Sequence, residues 1–257
     1  MRRAAREAWP PTAFLTILIG IWELRARAVE RANPVLPAPS RILRALADSA
    51  PLLPGHLRAT LVATLLGVVI GVTTGVLLAV LVSGWGFARR VLQPLLVATQ
   101  TVPVQVLGPI LVLWFGFGLQ PKIVLVALVV FFPVAVATAA GLQGVDPALV
   151  ELVRSFGAGR RTVLRMVLGP AALPGLFAGL RISLTYAVAA TVIAEGIGAR
   201  AGLGLYMSRS LRAFRYDQLW VGVGVVMALS IALFCLVSLL GRLACPWQRQ
   251  VGSNHEQ

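Results

Sequence analysis

Long apolar runs, separated by short polar and Arg-bearing stretches, set the plan of this chain. A helix needs about twenty consecutive apolar residues to cross the hydrocarbon core of a bilayer, and several runs reach that length. The pattern predicts about six spans, roughly 12–28, 59–83, 91–118, 122–142, 173–196 and 218–241. The first is the shortest and carries Glu23, so it spans only if Arg25 and Arg27 snorkel toward the headgroups. The fold class expected is all-α: a polytopic helical bundle forming one transmembrane domain over 1–257, with no room for a sizeable soluble domain.

Between the first two spans, prolines at 34, 37 and 39 forbid a continuous helix. Ser40 then reads as the cap of a short amphipathic helix over 41–49, with Ile42, Leu43 and Leu46 on one face. In the second span Gly67, Gly71 and Gly75 recur every four residues, and Gly175 and Gly179 repeat that spacing in the fifth. Small-residue stripes let helix backbones approach closely in lipid, so these five glycines are expected at packing contacts within a bundle or a dimer.

The run from Val91 to Gly118 stays apolar but holds Pro94, Pro103 and Pro109, with Gln93, Gln100 and Gln105 among them. A break here is tolerated only where protein or a water-filled cavity covers the freed backbone groups. This third span is therefore a candidate lining for a transport path. Pro133 is expected to kink the fourth span.

Composition agrees with a membrane chain: 58% of the 257 residues are hydrophobic and only 12% are charged. The net charge of +14 does not point to nucleic acid, because the basic residues sit between apolar runs, where they anchor helices at headgroups. Cys235 and Cys245, His56 and His255 show no metal-ligand spacing, and Cys235 lies inside an apolar span, so no metal site or structural disulfide is expected. The basic start, the apolar stretch 13–22 and Ala26-Arg27-Ala28 also resemble a cleavable leader. We take the first helix as retained, because further spans follow and Glu23 interrupts the apolar stretch.

Orientation does not follow from charge. With the N-terminus inside, the Arg residues at 2, 3, 6, 89, 90, 154, 160, 161, 165, 242 and 249 fall on the cytoplasmic side. Those at 25, 27, 31, 41, 44, 58, 200, 209, 212 and 215, with Lys122, fall on the other, and the two sides tie.

Ionisable groups inside spans are costly and point to function. Outside the first span two qualify, Arg181 and Glu195. They lie fourteen residues apart, roughly 21 Å along a helix, and cannot pair with each other. Arg181 would neutralise an anionic substrate such as a sulfonate, or else snorkel or pair with a neighbouring helix. Glu195, near the span end, reads as an interfacial carboxylate of structural use. Gln100, Thr101, Gln105, Tyr186 and Thr191 complete a candidate polar path with Arg181 and Glu195.

The most informative stretch is 145–161. Asp146 before Pro147 is a strong helix start, with the cap oxygen preceding a proline at the first helical position. Gly157 and Gly159 punctuate, and 162–168 offers a second short helix. Two short helices around a glycine turn, outside the membrane, suit docking on a partner; the plain alternative is an ordinary connecting loop.

This stretch resembles the signature of ABC-importer permeases, a Glu-Ala-Ala followed by a Gly and, about ten residues on, an apolar-x-Leu-Pro. Glu151, Gly157, Val167 and Pro170 match it; Leu152 and Val153 stand where the family favours alanine, and Gly169 where it favours leucine. The resemblance extends over roughly 34–241. It includes Leu36-Pro37-Ala38-Pro39-Ser40, the 111–118 stretch around Trp114, Phe131-Phe132-Pro133 and the glycine-rich 198–204. These resemble the nitrate/sulfonate/taurine-type group, which also includes permeases for thiamine-pyrimidine precursors.

The resemblance implies a permease subunit of an ATP-driven importer, in a bacterial inner membrane with both termini cytoplasmic. It would work as an alternating-access dimer, expected to be a homodimer, beside an extracytoplasmic solute-binding protein. The coupling segment 146–168 would fit a groove on an ATPase subunit, with Glu151, Arg154, Gly157, Ala158 and Pro170 at or near that contact. A phosphate-cradling loop ends Gly-Lys-Ser/Thr, and the single lysine, Lys122, follows Pro121. No cofactor is therefore expected on this chain; ATP-Mg would be bound and hydrolysed on the partner ATPase. The alternatives are an ion-gradient-driven secondary transporter and a membrane-embedded enzyme or scaffold. The second would need clustered His, Asp or Glu at span ends.

Overall fold

In the computed structural model, residues 2–29, 35–99 and 101–247 are described, without the side chains of residues 2–12, 93 and 95–97. The described chain is helical and holds no strand. Its helices are α1 (Arg2–Val29), α2 (Pro39–Ser49), α3 (Leu53–Gly84), α4 (Gly86–Thr99), α5 (Val104–Phe115) and α6 (Gln120–Gln143). There follow α7 (Pro147–Ser155), α8 (Arg160–Val163), a π-turn (Leu164–Leu168), α9 (Gly169–Gly198), α10 (Leu203–Arg212) and α11 (Tyr216–Ala244).

Among the described residues four helical stretches are long and apolar enough to span a membrane: 53–84, 120–143, 160–198 and 216–244. The other two expected spans are not among these four. The run 91–118 is two helices, α4 and α5, because Pro103 lacks an N–H and its extended backbone (φ −61°, ψ 129°) starts a new helix at Val104. Helix α1 covers the expected 12–28 and starts earlier, at Arg2, but Glu23, Arg25 and Arg27 lower its hydropathy.

Helix α6 is the axis of the bundle, packed between α3 and α9. Two glycine stripes make that possible. Gly67, Gly71 and Gly75 on α3 face Val126, Val130 and Val134 of α6; a methyl group on Gly71 would stand 2.8 Å from Val130 Cβ, closer than carbon atoms tolerate. From the other side, Gly175 and Gly179 on α9 face the Ala137 and Pro133 carbonyls. All five packing glycines thus meet α6 within the chain. Pro133 lies inside a continuous α6. Leu125, Val126, Val130 and Val134 fill the seam with Leu184, Ala187 and Val188. In lipid this close van der Waals fit, rather than a hydrophobic drive, holds helices together.

Helix α2 departs from its predicted cap. It starts two residues early, with Pro39 in the first turn and Ala38 at the cap position. Ser40 is thereby released to bond α1: its Oγ donates to Glu23 Oε1 at 2.6 Å and its N–H to Glu23 Oε2 at 3.0 Å. The face α2 buries is Ala45 and Ser49, with Ile42 partly covered, while Leu43 and Leu46 are exposed. The buried face is thus turned by less than a quarter-turn from the apolar face of Ile42, Leu43 and Leu46, and its smaller side chains permit contact with α11.

Candidate functional site

At the end of α6 the chain leaves the bundle. Asp146 Oδ1 accepts the Ala148 N–H at 2.8 Å and Pro147 opens α7, so the first turn is satisfied locally. Gly157 ends α7 with φ +82°, a left-handed conformation that costs an L side chain strain. Gly159 then leads into α8. The second helix expected at 162–168 is continuous with α9 instead. Pro170 has no N–H to give Met166, and the ladder widens so that the Gly169 N–H bonds Leu164 O across a π-turn. The elbow is therefore anchored rigidly to a 39-residue helical stretch, 160–198.

Helix α7 buries none of its residues. Glu151, Arg154 and Gly157 are exposed, Ala158 is partly covered, and Pro170 is partly buried at the start of α9. Phe156 is 82% exposed at the apex, with Leu152 also out. Behind them lies a groove of about 520 Å³ lined by Gly141, Asp146, Leu149, Val153 and Met166. An apolar apex flanked by Glu151 and Arg154 is the composition of a docking surface, and its neighbours in this chain leave it uncovered.

The candidate path residues do not converge. Thr101 is exposed and donates to the Ala98 carbonyl at 2.8 Å, and Gln105 is exposed on α5. Gln100 lies outside the described residues. Tyr186 is 60% exposed on α9. Arg181 is partly buried toward α11, where its guanidinium reaches Gly241. Thr191 and Glu195 are both fully buried and face α3, bonded inside the bundle, so neither lines an open path in this chain. Glu195 is likewise no interfacial carboxylate, because its neighbours close over it.

Those neighbours form a polar clasp at the end of the bundle opposite the elbow. Glu195 accepts from Thr60 Oγ1 at 2.9 Å and from the Gly204 N–H at 3.0 Å, with Lys122 Nζ 3.8 Å away. Thr60 in turn accepts the Leu203 N–H at 2.8 Å, and Thr64 shares a 2.8 Å bond with Thr191. Nδ1 of His56 accepts the Gly202 N–H at 3.1 Å. Gly202 has φ +137°, and a side chain there would collide with the Glu195 carboxylate. The clasp pins the first turn of α10 to α3, α6 and α9 and satisfies a carboxylate that burial would otherwise penalise heavily. Sequence reasoning missed His56, Thr60 and Lys122. The available signal was Thr60 and Thr64 one helical turn apart, matched by Thr191 and Glu195 at the same spacing.

A family model described as "Binding-protein-dependent transport system inner membrane component" matches residues 71–243, which include both the elbow and the clasp loop. The chain belongs to this family. It is a permease subunit of the ABC-importer type, and that membership implies an ATPase partner and a paired permease. The formylaminopyrimidine transport permease ThiX of Halalkalibacterium halodurans is 34% identical over 95% of this chain and 98% of its own. The riboflavin permease RibX of Chloroflexus aurantiacus is 32% identical (96% and 94% covered), and the taurine permease TauC of Escherichia coli 30% (97% and 96%). The inward-facing MetNI methionine ABC transporter matches with a TM-score of 0.61 at 25% identity, over 75% of this chain and 95% of that one. A bacterial ABC transporter that imports alginate shares the fold at 15% identity, with a TM-score of 0.60 and 93% and 97% covered.

Proposed function

We propose that two copies of this chain form the translocation path of a bacterial inner-membrane importer, with the elbow 146–168 seated on a cytoplasmic ATPase subunit. The observation that carries this reading is the uncovered apex of the elbow. Phe156, Leu152, Glu151 and Arg154 project from a helix that buries nothing of its own, while Pro170 and the π-turn fix it to α9. A push on the elbow is transmitted to a span, which is what alternating access requires of a coupling element.

On this reading both termini are cytoplasmic, an extracytoplasmic solute-binding protein delivers the solute, and ATP-Mg acts only on the ATPase. The solute is small and polar or anionic, of the sulfonate/taurine or thiamine-pyrimidine-precursor classes that the relatives' names span. Co-purification tests it. The chain expressed with its partner ATPase subunit should elute as a stable complex, and replacing Phe156 and Leu152 together with Asp should release the ATPase. A stable purified permease that never retains an ATPase counts against the proposal.

A further inference from the structure

A second site lies beside the clasp, at the end of the bundle away from the elbow. A cavity of about 480 Å³, a size suited to a small molecule, is lined by Arg58, Lys122, Arg200, Gly118, Gly198 and Phe117, among others. Its charged lining is entirely cationic. Lys122 is only 7% exposed and is already balanced: its Nζ donates to the Ala201 carbonyl at 3.3 Å and faces Glu195. Arg58 and Arg200 differ. Both are exposed, and among the described residues neither makes a hydrogen bond or an ion pair.

Two helix starts reinforce them. Helix α6 opens at Gln120, so Gly118, Leu119 and Lys122 bring its first turn to the cavity wall; α3 opens at Leu53, so Gly55 and Arg58 bring in its first two turns. Neither helix has a side-chain cap or an acidic residue in its first turn. The positive ends of two helix dipoles thus add to two unpaired guanidinium groups. Glycine and alanine elsewhere in the lining leave room for a close approach to backbone.

We propose that this cavity is an oxyanion-binding subsite, taking a sulfonate or phosphate group between Arg58 and Arg200. Its place in the transport cycle rests on the permease reading: it receives the anionic end of the solute on the side opposite the ATPase. The binding itself does not depend on coupling. The same chemistry is presented by a free solute and by a phospholipid headgroup, and both reach this end of the bundle.

The test is titration of ethanesulfonate into the full chain in phosphatidylcholine nanodiscs, with tetramethylammonium as the cationic control. Saturable binding of the sulfonate alone is expected, weakening as chloride rises because both arginines are solvent-accessible. The Arg58→Gln, Arg200→Gln double variant should bind at least about tenfold more weakly with an unchanged melting temperature, since neither side chain holds the fold. Arg212→Gln, an exposed cation away from the cavity, should bind as the parent does. Phosphatidylglycerol nanodiscs separate the sources: retained sulfonate binding assigns the site to free solute, and competition by the lipid assigns it to a headgroup. Absence of sulfonate binding in phosphatidylcholine, or equal binding by parent and double variant, overturns the proposal. No ATPase is present, so that failure is distinct from failure of coupling.

Discussion

Thr60 Oγ1 on α3 and Glu195 Oε2 on α9 lie 2.9 Å apart, 135 residues distant in sequence, and neither residue is exposed. This bond is the centre of the clasp that holds the α9–α10 loop. Replacing Glu195 with Ala leaves Lys122 as a buried, uncompensated charge and removes the acceptor for the Gly204 N–H. The expected cost is about 3–5 kcal/mol, the range for breaking a buried pair from one side. Pairing Glu195→Ala with Lys122→Met should recover more than about 1 kcal/mol of it. Thermal unfolding in detergent reads the cycle, and strictly additive losses would show that the two groups do not interact.

The glycine seam predicts a contrast between positions of the same residue type. Gly175→Ala drives a methyl group into the Ala137 carbonyl, which is backbone and cannot rotate away. It should destabilise by about 1–3 kcal/mol, the usual cost of overpacking. Gly224→Ala, on α11 with open space around it, should be neutral or stabilising by up to about 1 kcal/mol, because alanine is the better helix former. Equal melting temperatures for both variants would contradict the seam.

Gly157→Val tests the elbow turn. There is open space where the new side chain goes, so the penalty is conformational: a β-branched residue resists φ +82°. The protein should insert and span normally, while ATP-dependent uptake falls at least about tenfold. Unchanged uptake would count heavily against a docking role for the turn.

Sidedness follows from the proposed orientation. In a background with Cys235 and Cys245 replaced by Ala, Ser155→Cys should react with an impermeant thiol reagent only from the ATPase side. Arg200→Cys should react only from the opposite side. Labelling of both from one side would show that the elbow and the clasp do not lie at opposite ends of the membrane-crossing helices.

What was legible in the sequence was local. Apolar length sufficed for α3, α6, α9 and α11, the four-residue glycine spacing for the seam, and Asp146-Pro147 for the start of α7. Features that depend on a distant partner were not. Ser40 reads as a cap until α1 supplies Glu23, and Glu195 reads as interfacial until α3, α6 and α10 close around it. The π-turn before Pro170 stayed hidden for another reason: a proline in an apolar stretch signals a break, and only the backbone shows that the ladder widens and continues. Polarity alone nominates the path residues, but the helix face each one occupies is three-dimensional information.

The central claim is that this permease is driven through its elbow by a separate ATPase. Uptake of a radiolabelled solute of the predicted classes into proteoliposomes holding the permease, its ATPase and the binding protein tests it most directly. The account predicts uptake that requires ATP and all three proteins, and that is lost in Gly157→Val while the ATPase still hydrolyses ATP. Uptake by the permease alone, driven by an imposed ion gradient, would contradict it.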